Sequence, residues 1–200
     1  MSSRWNRAKQ AAHDGLIELT KRAVLDSLGG KEGSCLVHTE MPIIALPAEY
    51  GLPREPPEAL LTPDLVVFDR HGRRLLLIEV TIVPCAALPK YEARKARKYF
   101  RLHTRARPSE LDVLPPLVIA VGTGGTIPRS TVEAARVIGL SEKERSTFFE
   151  EAAAIAQARP DARRAKKRNH SMDESLPRLR GTRAERKLLR RSGVADPHPQ

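Results

Sequence analysis

Several residue types and patterns that define common classes of protein are scarce or missing in this chain of 200 residues. The two cysteines, Cys35 and Cys85, do not form a C-x-x-C pair, which excludes a thiolate zinc site and a disulfide framework. No apolar run approaches the ~18 residues of a membrane span, and the first residues lack the apolar core of a signal peptide. The glycine-rich turn at 122–125 is not followed by the Lys-Ser/Thr of a P-loop. We therefore expect a protein of a reducing compartment with no membrane partner.

Acidic residues are outnumbered, and the imbalance is concentrated towards the C-terminus. The chain has 35 Lys and Arg against 24 Asp and Glu, a net charge of +11. Residues 159–200 hold 13 of the basic and 5 of the acidic residues, which leaves 1–158 nearly balanced. This distribution predicts a folded domain over 1–158, followed by a basic, disordered tail that binds a polyanion such as DNA. A solvated tail with no specific partner is the alternative.

Residues 61–83 contain two apolar runs of strand length on either side of a polar break. Both runs are rich in Val, Leu and Ile, which predicts a β-hairpin. If His71 and Gly72 form the turn, the residue numbers of two cross-strand partners always add up to 143, and Asp64 therefore faces Glu79. Directly opposed Cβ atoms lie roughly 4.5–5.5 Å apart, so two like charges there need a positive group between them. Because hard carboxylate oxygens suit Mg²⁺ or Mn²⁺, the pairing predicts a metal site.

The second of these runs is apolar on both of its faces. Alternation places Glu79 on the same face as Leu77, Thr81 and Val83, and the opposite face is entirely apolar. Such a strand is central in a sheet, so the Glu79 carboxylate is predicted to be buried. A buried carboxylate is costly unless it is paired or bound to a metal, which supports the metal interpretation. The alternative is an exposed Glu79 in an ordinary hairpin.

The remaining pattern predicts four helices and two further strands around this hairpin. Apolar residues three and four positions apart, and capping boxes of the form S-x-x-E at Ser130 and Ser141, predict the helices. The helices lie at 3–28, 90–102, 130–139 and 142–158, and the further strand-like runs lie at 34–46 and 114–122. The order predicts an α/β fold with one small mixed sheet flanked by helices.

Two acid–base residues outside the hairpin are candidates for the same site. His13 lies on the first helix, where it points either into a cleft or into solvent. Glu40 lies in the otherwise apolar first strand-like run, although lone acids in such a strand are usually exposed.

The helix predicted at 90–102 directly follows the strand of Glu79 and can pack across the same end of the sheet. Lys95, Lys98 and Tyr99 lie on one stripe of this helix. A lysine of this stripe could therefore reach the pair of carboxylates. A basic, solvated helix face anchored by Tyr99 is the alternative.

An αβββαβ order with Pro63-Asp64 on one strand and Glu79 on the next resembles the PD-(D/E)XK nuclease superfamily. The superfamily usually has a lysine two residues after the second acid, where this chain has Thr81. In this respect the chain resembles the restriction-like endonuclease domain of site-specific non-LTR retrotransposons, in which the lysine lies on the following helix instead. The residues that resemble its Lys-x-x-Lys-Tyr motif are Lys95, Lys98 and Tyr99.

Shorter motifs extend the resemblance over residues 4–158. His13-Asp14 is similar to the family's first-helix motif, and Glu40 is similar to the Glu of its first strand. Thr62 stands where the family usually has Lys or Arg, and the family's zinc knuckle and reverse transcriptase are not found in this sequence. The resemblance therefore implies a fragment, a degenerate element or a domesticated copy.

The resemblance implies a metal-dependent endodeoxyribonuclease that nicks target DNA for insertion of an element. It implies that Asp64, Glu79 and the Val80 carbonyl hold Mg²⁺ or Mn²⁺, and that Lys95 or Lys98 acts beside them. The secondary candidates are His13, Glu40, Thr81 and Tyr99, and the expected DNA contacts are Arg94, Arg97 and Arg101.

Partners and location follow from the same resemblance. It implies DNA, and either a reverse transcriptase domain or element RNA, as partners. A basic cluster at 162–168 is of the nuclear-localisation or nucleic-acid-binding kind, so we expect the nucleus. Two alternatives remain open, a catalytically inactive nucleic-acid-binding domain on the same fold and a resolvase-type nuclease.

Overall fold

The computed structural model describes residues 2–29, 34–106 and 111–158, with side chains from residue 6 onward. In this part of the chain the helices are α1 (Ser2–Leu28), α2 (Leu88–Thr104), α3 (Arg129–Ile138) and α4 (Glu142–Gln157). The strands are β1 (Cys35–Thr39), β2 (Leu65–Asp69), β3 (Arg74–Val83), β4 (Asp112–Val113) and β5 (Leu117–Gly122). None of the described helices combines the length and the apolar composition that crossing a membrane requires. The tail predicted at 159–200 lies outside the described residues.

The five strands form one mixed sheet with β3 at its centre. Strands β1, β2 and β3 are antiparallel neighbours, and both β4 and β5 pair with β3 in parallel. The prediction of an α/β fold with a small mixed sheet is confirmed, and so is the central position of the strand that carries Glu79.

The hairpin of β2 and β3 has the predicted register. Val66 pairs with Leu77 and Asp69 pairs with Arg74, so paired positions sum to 143. The connection is a four-residue loop, 70–73, rather than a two-residue turn. The buried Asp69 carboxylate closes it, because it accepts hydrogen bonds from the Gly72 N–H at 3.0 Å and from the Arg74 guanidinium at 2.7 Å.

Each face of the sheet is covered by its own hydrophobic layer. One layer joins alternate residues of β3 (Leu76, Ile78, Val80 and Ile82) to buried residues of α1, α3 and α4. The other joins Leu75 and Leu77 to α2 and to the segment at 43–52. Glu79 and Leu77 are two residues apart and share one face of β3, so Glu79 lies on the α2 side of the sheet.

Two predicted strands are shorter in the structure, and a left-handed residue and prolines explain the differences. The run predicted at 34–46 is a strand only to Thr39, because Glu40 adopts a left-handed backbone (φ +48°) and Pro42 cannot donate to a ladder. The run predicted at 114–122 starts only at Leu117, after Pro115 and Pro116. The short strand β4, which begins at Asp112, is not among the strands that the sequence pattern predicts.

Only one of the two predicted capping boxes is present. At the start of α4, Ser141 accepts a hydrogen bond from the Glu144 N–H, and Glu144 accepts one from the Ser141 N–H. The box predicted at Ser130 is wrong, because α3 begins one residue earlier after Pro128, and the Ser130 hydroxyl donates to Glu92 of α2.

Thr131 of α3 protects the outer edge of β5. Its buried hydroxyl accepts a hydrogen bond from the Ala120 N–H and donates one to the Ala120 carbonyl, both at 2.8 Å. Among the described strands β5 pairs with β3 alone, so this hydroxyl supplies the hydrogen bonds that another strand would otherwise make.

We expect Thr131→Val to lower the free energy of unfolding by about 2–4 kcal/mol, since it leaves two buried backbone groups without partners. The control Thr131→Ser keeps the hydroxyl and should cost only about 1 kcal/mol for the lost methyl group. Urea denaturation of the three proteins measures both values. Equal stability of the Val and Ser variants would contradict this account of the sheet edge.

Candidate active site

The backbone that carries Asp64 is fixed from two sides, just before β2 begins. The Glu40 N–H donates to the Asp64 carbonyl at 3.0 Å. From α2, the Tyr99 hydroxyl donates to the Thr62 carbonyl at 2.8 Å. The last pair of the β2–β3 ladder is Leu65 with Ile78. Asp64 lies one residue before this pair, so the same register places it opposite Glu79.

The Asp64 carboxylate bridges to the neighbouring strand. Its Oδ2 atom accepts a hydrogen bond from the Val80 N–H at 2.6 Å, and the residue is 9% exposed. This side-chain bond continues the β2–β3 ladder by one step, so it fixes the Asp64 carboxylate beside Val80 of the central strand.

Glu79 and Lys95 form a buried ion pair beside Asp64. Glu79 is 1% exposed, and its Oε2 accepts a hydrogen bond from the Lys95 ammonium. The Lys95 ammonium also lies 3.9 Å from Asp64 Oδ2. The positive group that two opposed carboxylates require is therefore a lysine of α2, as the helix stripe predicted. Glu79 Oε1 is buried, and no described residue donates a hydrogen bond to it.

The second candidate lysine has a different contact. The Lys98 ammonium donates to the Tyr99 hydroxyl rather than to a carboxylate. Burial and then the adjacent Glu79 carboxylate raise the pKa of Tyr99, so its hydroxyl stays protonated and acts as the donor to Thr62. Tyr99 thus positions the approach to Asp64, and of the two lysines only Lys95 contacts the acidic pair.

His13 reaches the opposite side of the Asp64 carboxylate from α1. Its Nε2 atom lies 3.6 Å from Asp64 Oδ1. The interaction with Asp64 raises the pKa of His13 above its ordinary value of 6.5, although burial opposes the change. Burial alone would raise the pKa of Asp64, but His13, the Val80 N–H and Lys95 outweigh it and hold that pKa below 3.8.

Glu40 completes a group of possible metal ligands with His13 and Asp64. Each residue offers one ligand atom, and these atoms lie within 4.8 Å of one another. Sequence reasoning ranked His13 and Glu40 below the hairpin acids, because neither position showed which way its side chain points. The structure brings both of them to Asp64.

The other predicted site residues lie at the margin of this group or along α2. Thr81 is buried in β3 and lies on the same face of the strand as Glu79. The Arg94 guanidinium lies 4.3 Å from the centre of the Tyr91 ring, and Arg97 is exposed. Arg101 is exposed, but its guanidinium lies 3.7 Å from the Glu58 carboxylate.

Glu58 is a buried acid that sequence reasoning missed. It is 2% exposed, and its Oε1 also lies 3.1 Å from the Arg105 guanidinium. Arg101 and Arg105 are four residues apart at the C-terminal end of α2 and so share one face of it, which was the available signal. The pair ties the segment before Asp64 to α2.

No model of a known protein family matches this sequence, and no curated protein matches it either. The chemistry is therefore argued from the geometry. Two carboxylates, an imidazole and an ammonium group converge where the central hairpin ends. Carboxylate oxygens and an imidazole nitrogen can hold a divalent cation, and an ammonium group can stabilise a developing negative charge.

We expect Lys95→Met to lower the free energy of unfolding by about 3–5 kcal/mol, because it leaves the buried Glu79 charge without a partner. Urea denaturation in EDTA measures this loss. The matched control Lys98→Met removes an exposed lysine of the same helix and should change stability by under about 0.5 kcal/mol. Adding Glu79→Gln to Lys95→Met should restore part of the loss, and no loss in the single variant would refute the buried pair.

The contribution of the His13–Asp64 pair should depend on pH. The pKa of His13 is higher in the folded state than its ordinary value of 6.5. Its contribution to stability is therefore complete below about pH 6.5 and is lost as the pH rises through the higher, folded-state pKa. The pKa of Asp64 is lowered, so its contribution is complete above about 3.8 and is lost as the pH falls. In EDTA, His13→Gln should therefore cost most near pH 5.5, about 0.5–1 kcal/mol, and less near pH 8.5.

The control for this pH dependence is the same substitution in an Asp64→Asn background. There the larger cost of His13→Gln at pH 5.5 should disappear, since the Asp64 charge that raises the pKa of His13 is gone. A cost that is equal at both pH values in the wild-type background would exclude the pair as its source.

Proposed function

We propose that this chain is a metal-dependent DNA endonuclease with a PD-(D/E)XK-like core. The observation that carries the proposal is the convergence of Asp64, Glu79 and Lys95 at the end of the central hairpin. A buried glutamate with one unpartnered oxygen, set beside a second carboxylate, is costly in a purely structural role. It is expected where a protein uses the charge for chemistry.

The arrangement of these residues supports the restriction-like branch of that superfamily. Pro63-Asp64 precedes β2, Glu79 lies in β3, and the lysine that contacts both acids comes from the following helix, whereas position 81 is a threonine. The same branch implies nicking of target DNA during insertion of a retrotransposon. A fragment or a domesticated copy of such an element is included in the proposal.

The residues present fit a hard divalent cation, Mg²⁺ or Mn²⁺. Asp64 and Glu79 would hold it with carboxylate oxygens. The Val80 carbonyl would be the third ligand, because the N–H and the carbonyl of a strand residue point to the same side and the Val80 N–H faces Asp64. When bound, such an ion lowers the pKa of a coordinated water and stabilises charge on a phosphate.

Lys95 would have two roles in this reaction. Its ammonium neutralises Glu79 in the metal-free protein. With DNA present, the same group would donate to a phosphate oxygen or to the attacking water, where it stabilises the negative charge that develops in the transition state. Tyr99 is a positioning residue, since it fixes Thr62 and through it the backbone that leads to Asp64.

The exposed face of α2 would bind the DNA backbone. Arg94 and Arg97 are exposed next to the turn of Lys95, and Arg101 follows one turn later. Guanidinium groups that contact phosphates position a duplex without reading its sequence. Arg101 would share its charge between a phosphate and Glu58.

A catalytically inactive DNA-binding domain is the second candidate function, and one observation favours it. Lys95 already compensates the acidic pair, so the fold does not require a metal ion for its stability. A resolvase-type nuclease is a further alternative, which cleavage of branched rather than duplex DNA would identify. A reverse transcriptase or element RNA as partner, and the nucleus as location, rest on the family resemblance and remain proposals.

A plasmid-nicking assay with Mg²⁺ or Mn²⁺ tests the proposed activity. We expect the wild-type chain to nick, and Asp64→Asn and Glu79→Gln each to lower the rate by more than about 100-fold, because each removes a metal ligand. Both substitutions keep the side-chain shape, and thermal melting verifies that the variants fold. The matched control Glu133→Gln changes an exposed acid of α3 and should nick as the wild type does.

Two results would contradict the endonuclease. Nicking by Glu79→Gln at the wild-type rate would show that this site is not responsible for it. Salt-sensitive DNA binding by the wild-type chain in EDTA, with no nicking under either ion, would favour the inactive binding domain.

A further inference from the structure

Phe100 lies on the solvent side of α2, where 56% of its surface is exposed. The other three phenylalanines of the chain, at positions 68, 148 and 149, pack into the two hydrophobic layers of the sheet. An aromatic ring gains free energy when it is removed from water, so the ring of Phe100 is available to a partner that covers it.

His103 supports the Phe100 ring from one side. The centres of the two rings lie 6.4 Å apart, and their planes are tilted by 55°. The His103 ring is itself fixed to β4, because its Nδ1 atom donates a hydrogen bond to the Val113 carbonyl at 2.7 Å. A side chain that is already ordered loses little conformational freedom when a ligand binds, which favours Phe100 as a contact.

Positive charge surrounds this ring. Arg97 precedes Phe100 by three residues, and all three arginines at positions 97, 101 and 105 are exposed. They follow one another at steps of four residues, so they form a ridge along α2 beside the ring. None of the residues three or four positions away from Phe100 is acidic. The surface around the ring therefore attracts a polyanion.

The buried carboxylate of Glu58 orders two arginines of this ridge. Its Oε1 atom lies 3.7 Å from the Arg101 guanidinium and 3.1 Å from the Arg105 guanidinium. A guanidinium has five N–H donors, and both side chains are more than half exposed, so each keeps donors for a further acceptor. Proteins bind single strands of nucleic acid with this combination, in which an aromatic ring stacks on a base and guanidiniums contact the phosphates.

We infer that the outer face of α2, formed by Phe100 with Arg97, Arg101 and Arg105, binds single-stranded nucleic acid, with one unpaired base stacked on Phe100. The bases of a duplex are already stacked on their neighbours, so the ring selects unpaired bases.

The place of this outer face in the reaction rests on the proposed function. Lys95 faces the acidic pair at the sheet, and Phe100 faces solvent across a helix about 10–12 Å wide. A strand that leaves the site of cleavage would therefore reach Phe100 within a few nucleotides. The substrate of the proposed endonuclease would then carry an unpaired segment next to the bond that is cut.

Binding of a labelled oligonucleotide to the full chain in EDTA, measured by fluorescence anisotropy over a range of salt concentrations, tests this face without reference to cleavage. We expect Phe100→Leu to weaken binding of a single strand of about 12 nucleotides by about tenfold, because the stacked ring is lost. The slope of log affinity against log salt should stay the same, since no phosphate contact is lost. Phe100→Tyr keeps a ring and should bind as the wild type does.

Two comparisons separate stacking from charge. Arg97→Gln should reduce the salt slope for the single strand by about 0.7, because one phosphate contact is lost. Phe100→Leu should change the affinity for a duplex of the same sequence by less than about twofold. The matched control Leu25→Ala changes an exposed apolar residue of α1, on the other side of the sheet, and should bind as the wild type does.

A DNA strand and an RNA strand of one sequence are both titrated, because either can supply unpaired bases, and thermal melting verifies that each variant folds. Weaker binding by Phe100→Leu to either strand supports the outer face and identifies its ligand. Wild-type affinity for both strands, or an equal loss on the duplex, would overturn the inference and leave the endonuclease intact. Weaker binding to a single strand, together with a wild-type chain that does not nick DNA, would support the outer face and refute the proposed function.

Discussion

The Glu79 carboxylate is buried in the central strand, and the Lys95 ammonium compensates its charge from α2. An unpaired carboxylate at this depth would ionise only at a cost of several kcal/mol. The requirement for a counter-charge therefore sets how α2 packs on the sheet. Tyr99 and Leu102 of the same helix are fully buried, so apolar packing and charge compensation hold it in one position.

The position of α2 in turn determines where Asp64 lies. The Tyr99 hydroxyl fixes the Thr62 carbonyl, and the arginines near the end of the helix hold the buried Glu58. Asp64 follows these anchors and receives the Val80 N–H on one oxygen and the His13 side chain on the other. One helix thus carries both the stability of the acidic pair and the lysine proposed to act in catalysis, so stability and activity share the same contacts.

Sequence reasoning succeeded where the periodicity left one solution. A slip of one residue in the hairpin would have moved its apolar residues to the wrong face, so the pairing of Val66 with Leu77 could be predicted. The helical stripe likewise directed a lysine to the acidic pair. Sequence reasoning failed where a local pattern was compatible with several structures. Glu40 has a left-handed backbone, Ser130 bonds to Glu92 instead of capping α3, and Lys98 contacts Tyr99.

The sequence by itself determined the α/β class, the register of the central hairpin and the burial of Glu79, because strand alternation and apolar patterning act over neighbouring residues. Only the tertiary structure decided which groups meet Asp64. His13 and Asp64 are far apart in the chain, and the direction of each side chain depends on how α1 packs against the sheet. No periodicity within either segment encodes that packing, so the division of Asp64 between Lys95 and His13 emerged only from the assembled fold.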